Sequence, residues 1–293
     1  MSSSVLGLYC LTVLIWGSTW IAITFQLGTV APLASVIYRF TLASVLLFIW
    51  CWFRKIPLTL TAKEHGLVFL QGSFLFGFNY WLMYSASQYL TSGLVAVIFS
   101  LIVFFNIFNA RLLLRSSLQI NVLIGAGLGL VGVVLLFSQE FTDFNLGSDI
   151  AIGAGFALLA TYVASLGNIV ATRNSHNKRS VMTVNAWGML YGTLVVIVLA
   201  LILNVEFNFE FTPAYISSLI YLSIFGSIIT FAAYLKLLSM IGPDKAGYVG
   251  MLVPVVALIL SSIFEDYSWT LPAVLGLCLI LAGNWLVMGK RSS

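Results

Sequence analysis

Apolar residues in this chain do not alternate with polar ones. They gather in stretches of about twenty, punctuated by proline, glycine and charge. That length is what an α-helix needs to cross a hydrocarbon core of about 30 Å at about 1.5 Å per residue. The punctuation predicts ten spanning helices, at about 5–25, 32–53, 66–89, 92–112, 119–138, 149–172, 181–203, 214–237, 245–264 and 270–289. Almost nothing remains for a soluble domain. A β-barrel is disfavoured, because barrel strands are alternating segments of roughly ten residues.

Composition narrows the class further. Of 293 residues, 61% are apolar and 8% charged, whereas soluble domains carry roughly 25% charge. A soluble globule, a disordered chain and a disulfide scaffold are excluded. The expectation is an all-α integral membrane protein, multi-pass in a bacterial inner membrane, with the lipid bilayer as its first partner. The net charge of +4 does not indicate a nucleic acid, because its distribution has another cause. With the N-terminus inside, the inner loops hold Arg54, Lys55, Lys63, Arg111, Arg115, Arg173, Lys178, Arg179, Lys236, Lys245, Lys290 and Arg291, leaving Arg39 alone of the 13 basic residues within a span. Basic residues stay on the cytoplasmic side, so both termini are expected inside. Glu140, Asp143, Asp149, Glu206, Glu210, Glu265 and Asp266 then fall outside.

Residues 1–4 carry no basic charge and the first apolar run is of full span length, so no cleavable signal peptide is expected. Cys10, Cys51 and Cys278 lie in or at the edge of spans without a CxxC pair and read as packing residues. His65 and His176 sit in inner loops, so the spans offer no imidazole. No metal and no cofactor are expected.

The chain also repeats itself. Shifting residues 90–137 by 151 positions lays Gly125 on Gly276 and Gly132 on Gly283, and segments 66–89 and 214–237 precede these blocks at nearly the same shift. The repeats are expected at 1–139 and 149–290, five helices each. An odd number inverts the second relative to the first, an architecture that recurs in transporters with a binding site near the midplane.

Trp16-Gly17-Ser18-Thr19 resembles the WGST segment of the drug/metabolite transporter superfamily, EamA branch. Pro32 with Tyr38-Arg39-Phe40 is similar to its P…RF segment, and residues 84–93 (YSASQYLTSG) to its YxAxxYTSA stretch. Ile241-Gly242-Pro243 with residues 254–258 (PVVAL) resembles its LGP…EPVVAL block, and Glu265 takes the place of the glutamate closing helix 9. The resemblance covers nearly the whole chain, in order. It implies ten helices in two repeats, a cavity among helices 1, 3, 4, 6, 8 and 9, and transport of small metabolites, often amino acids or related compounds, commonly outward. Val103 stands where the first repeat usually has a proline, opposite Pro254, so helix 4 is expected to be straighter than helix 9. An acid usually stands at Arg115. Helix 1 lacks the glutamate of the small multidrug-resistance branch, which disfavours a cationic-drug/proton antiporter.

The candidate site follows from embedded polarity. Arg39 lies seven residues past Pro32, about 10 Å below the interface. A central arginine costs about 2.5–3.5 kcal/mol on insertion scales, so it must meet a partner or water. It either attracts a substrate anion or bonds loop carbonyls and Gln26, and the resemblance, which keeps it across many substrates, favours the second. Asn79, Tyr80 and Tyr84 in helix 3, Trp16 and Trp20 in helix 1, Tyr162 beside the Thr161, Ser165 and Asn168 stripe in helix 6, and Ser227, Thr230 and Tyr234 in helix 8 fall at helical spacing. Such stripes line a cavity or bond neighbouring helices. Lys236 is either a snorkelling residue or an inner gate. Pro254 kinks helix 9 and frees carbonyls. Glu265 is the remaining coupling candidate. Gly125, Gly129 and Gly132 suggest close helix packing or a homodimer seam.

These observations favour a secondary transporter of a small neutral, zwitterionic or anionic substrate, uncoupled or exchanging rather than obligatorily proton-driven. The alternatives are a membrane enzyme, for which no nucleophile, base or metal set is embedded, and a scaffold or receptor without transport.

Overall fold

The structure, a computed structural model, describes residues 3–114, 120–136, 149–175, 179–234, 236–237, 240 and 249–288. Arg115, Glu140, Asp143, His176, Lys178, Ile241-Gly242-Pro243, Lys245, Lys290 and Arg291 lie outside the described residues. Among the described residues all regular structure is helical. Helix α1 is Ser3–Thr24 and α2 is Pro32–Phe53. Helix α3, Ala62–Gly72, passes through a wide π-helical turn, Ser73–Phe78, into α4, Asn79–Ala86. Then follow α5 (Ser92–Phe99), α6 (Ile102–Leu114), α7 (Ile120–Leu136), α8 (Asp149–Ser175) and α9 (Val181–Ile202). Helix α10, Pro213–Tyr221, passes through a second wide turn, Leu222–Ile229, and the helix continues to residue 234. Helices α11 (Val249–Phe264) and α12 (Leu271–Met288) complete the chain.

The helix starts are written locally. Pro32 and Pro213 stand in the first turns of α2 and α10, where a missing N–H breaks no helical bond. Thr61 and Glu64 form a reciprocal capping box at α3. Among the described residues six helical runs are long and apolar enough to cross a membrane, and Leu123–Leu136, Val249–Phe264 and Leu271–Leu286 are shorter apolar helices. Many of their outward side chains are large and apolar, among them Leu14, Trp52, Leu130, Ile202 and Leu275. A multi-pass membrane protein follows from these helices, since water would not tolerate so large an apolar exterior.

One expectation is reversed. The helix carrying Val103 is the interrupted one, and α11 runs through Pro254 unbroken. The break lies at Ser100 and Leu101, between α5 and α6. The Ser100 hydroxyl donates to Val97 O at 2.6 Å, and the Leu101 N–H donates to Ile98 O, three residues back. A serine bonding back onto its own helix offers the backbone an alternative to the regular ladder. A proline is therefore not needed to break this helix.

Helix α7 lies along α12, and α2 along α9. In the first pair, a Cβ at Gly132 would come 2.6 Å from Gly276 O, and one at Gly283 would come 2.6 Å from Gly125 O. The glycine face is thus used for close packing within the chain. The two larger apolar cores flank the centre. One gathers Trp20, Leu94, Val95, Ala160, Ala257 and Leu258. The other gathers Val36, Phe40, Leu47, Phe76, Met189 and Leu222.

Candidate functional site

A cavity of about 420 Å³ opens where the two cores meet, with Trp20 of the first and Phe76 of the second in its wall. Both halves of the chain line it. Trp16, Thr19, Asn79, Tyr80, Phe99, Val103 and Asn106 come from the first, and Asn168, Phe231, Tyr234, Gly250 and Pro254 from the second. Helices α5 and α11 shape one end. A Cβ at Gly93 would lie 2.8 Å from Leu258 and 2.9 Å from Ser261, so the two helices touch there. The Glu265 carboxylate accepts from the Ser92 N–H at 3.0 Å and from the Ser92 hydroxyl, capping α5. Further along, Val103 and Asn106 on one side and Val253 and Pro254 on the other face the open volume.

Both wide turns feed this cavity. Asn79 and Tyr80 follow the first directly, and Phe231 and Tyr234 follow the second closely. In the second, Ser227 Oγ donates to Leu222 O at 2.9 Å and Thr230 Oγ1 to Phe225 O at 2.6 Å, each five residues back. These hydroxyls follow the wider turn. A π-turn rotates the following side chains relative to a regular helix and is frequent at functional sites.

The expected site residues divide into two groups. Trp16, Trp20, Asn79, Tyr80, Tyr234 and Pro254 line the cavity. Arg39, Tyr84, Ser227 and Thr230 do not, and are buried between helices. Arg39 is 1% exposed. Its guanidinium donates to Ser227 Oγ at 3.3 and 3.4 Å and to Tyr84 OH at 3.4 Å. Tyr84 OH in turn donates to Gln26 Oε1 at 2.7 Å. The guanidinium carbon also lies 4.6 Å from the Tyr80 ring centre and 5.2 Å from that of Phe40. Arg39 is therefore held by hydroxyls and aromatic faces, with Gln26 at the end of the chain of bonds. Tyr162 packs edge-on against Phe105, Lys236 is exposed beyond Tyr234, and Glu265 caps α5 as described.

Sequence reasoning missed the partnership of Asn106 with Asn168, joined by a 3.2 Å hydrogen bond, and the wall residues Phe99 and Phe231. The available signal was Asn106 itself, a carboxamide in the apolar run IVFFNIF. A separate polar cluster joins the halves away from the cavity. Arg179 Nε donates to Glu64 Oε1 at 2.6 Å and Nη2 to Oε2 at 2.9 Å. The Arg179 hydrogen bond, then the Thr61 N–H, lower the Glu64 pKa to about 2.

The EamA-like transporter family matches residues 3–138 and again 151–289. The chain belongs to this family. Its EamA relatives include the uncharacterized transporter YoaV of Bacillus subtilis, 25% identical over 98% of this chain and 97% of the relative. A probable amino-acid metabolite efflux pump of Salmonella typhimurium is 25% identical over 96% of this chain and 94% of its own. A solved crystal structure superposes over the full length of both chains with a TM-score of 0.70 at 16% identity, a likeness of fold. Family and relatives point to transport across a membrane rather than to an enzyme.

Proposed function

We propose that this EamA protein is a secondary transporter that moves a small neutral, zwitterionic or anionic metabolite, an amino acid or related compound, outward across the bacterial inner membrane by alternating access. The observation that carries the reading is the cavity of about 420 Å³ lined by both halves of the chain. Small-molecule sites run roughly 300–1,000 Å³, mostly apolar with a few placed polar groups, and this wall is aromatic with three carboxamides. The efflux-pump name of the Salmonella relative supports outward movement.

In this reading the chain crosses the membrane ten times in two inverted repeats, 1–139 and 149–290, with both termini cytoplasmic. The basic residues support it through their one-sided distribution. Transport is by facilitated diffusion or exchange. Glu265 is engaged with Ser92 as a helix cap, which favours a structural role over proton coupling. Flux of a metabolite panel into proteoliposomes tests the reading. Saturable movement of a neutral, zwitterionic or anionic compound supports it, and saturable movement of quaternary ammonium compounds alone would overturn it. Cysteines at Asn208 and Leu60 test the topology: the first should label from outside and the second from inside.

A further inference from the structure

Each carboxamide carries one C=O and one NH₂. The bond between Asn168 Nδ2 and Asn106 Oδ1 engages one hydrogen and one acceptor. Whichever way the two amides are turned, the pair leaves an NH₂ on one residue and a C=O on the other. Both residues line the cavity. The pair therefore offers a donor beside an acceptor.

Asn79 stands in the same wall. Its Nδ2 donates to Leu75 O at 3.2 Å. A backbone carbonyl only accepts, so this bond fixes the amide's orientation and leaves Oδ1 over. Asn79 is 5% exposed and its Oδ1 is buried without a hydrogen-bond partner. A buried acceptor left unpaired is destabilising.

Charge sets the other limit. Among the described residues, none that lines the cavity is ionisable to a full charge near neutrality. An anion would exchange its hydration for neutral donors alone. A cation packed on Tyr80 would come close to Arg39, whose guanidinium carbon lies 4.6 Å from that ring centre, and like charges repel strongly where water is excluded.

Resting on the transport reading above and narrowing its substrate range to the neutral class, we propose that the cavity selects an uncharged planar molecule with an amide-type edge, a carbonyl next to an N–H, as in a lactam heterocycle or an aromatic carboxamide. Its carbonyl accepts from the free NH₂ of the Asn106–Asn168 pair, its N–H donates to the free C=O of that pair, and its ring packs against Trp16, Trp20 and Tyr80.

Three molecules of one shape test the proposal: quinoline-3-carboxamide, quinoline-3-carboxylate and the N-methylated quinolinium carboxamide. Their binding to the purified full-length protein is measured by calorimetry, with tryptophan as a zwitterionic comparison. The neutral amide should bind at least about tenfold more tightly than either charged form, a difference of about 1.4 kcal/mol. Asn106→Leu with Asn168→Leu should lower that affinity about tenfold or more with an unchanged melting temperature. Equal affinity for the three probes, tighter binding of a charged one, or insensitivity to the double variant overturns the proposal. Flux separates the two readings. A charged or zwitterionic metabolite moved saturably and unaffected by the neutral amide overturns the selectivity and leaves transport standing. Selective binding of the amide without flux of any compound supports the selectivity and overturns transport.

Discussion

Tyr80 touches two polar regions that meet the apolar interior in different ways. On one side is the Arg39 pocket, where a full charge is held by Ser227, Tyr84 and two aromatic rings and is 1% exposed. On the other is the cavity, whose described lining carries no full charge and includes the amide groups that the Asn106–Asn168 bond leaves over. The charge is embedded and internally bonded, and the neutral groups are the ones left available. Embedded ionisable residues are by default functional candidates. Here the burial of Arg39 assigns it to holding α2 against the second wide turn, where Ser223 Oγ also donates to Arg39 O at 3.1 Å. In the proposal above, recognition falls to the carboxamides.

Replacing Arg39 should give the largest effect on stability. Arg39→Ala removes a buried volume and strands the hydroxyls around it, so a loss of about 2–4 kcal/mol is expected in thermal or denaturant unfolding. Arg39→Lys should recover little, because an ammonium cannot reproduce the planar fork and its aromatic contacts. Neither variant should change ligand affinity in the protein that remains folded. A stable Arg39→Gln protein with affinity reduced a hundredfold would break the comparison.

Asn79→Leu should act in the opposite sense. It removes a buried acceptor that has no partner, so the melting temperature should hold or rise, by up to about 1 kcal/mol of stability. Substrate affinity should fall about tenfold. Gains in stability at the expense of activity are characteristic of binding sites, and a fall in both would place Asn79 with Arg39 as a packing residue.

The smallest effect lies at the Glu64–Arg179 pair, away from both regions. Glu64 has its pKa lowered from 4.5 to about 2. A carboxylate with a depressed folded-state pKa stabilises fully above its unfolded value and loses that contribution as pH falls through the folded one. The difference in melting temperature between the wild type and Glu64→Gln should therefore be constant from neutral pH to about 5 and should close between 4.5 and 2. A difference that widens on acidification would contradict the assignment.

The helices were legible because twenty-residue apolar runs are a direct consequence of bilayer thickness. The caps at Thr61, Pro32 and Pro213 are equally local, yet the third helix, expected from about 66, begins at Ala62. The two wide turns were not, since Ser73–Phe78 and Leu222–Ile229 carry serine, glycine and apolar residues that suit a regular helix as well. Nor was the break at Ser100, which comes from one hydroxyl choosing a carbonyl three residues back. The polarity of the site could be read, as with Asn79, Tyr80 and Trp20. Its partition could not. Whether Arg39 faces substrate or Tyr84, and whether Asn106 finds Asn168, is decided by packing between segments 45 and 62 residues apart.

The central claim is that the cavity between the halves is the path of a transported metabolite. Val103 lines it without belonging to either carboxamide pair or cap, so Val103→Trp adds bulk to the open volume. The decisive measurement is saturable flux in proteoliposomes for the wild type and Val103→Trp at matched folded protein. The account predicts flux in the wild type and its loss in the variant, with melting temperature within a few degrees. Undiminished flux through the filled cavity would contradict it.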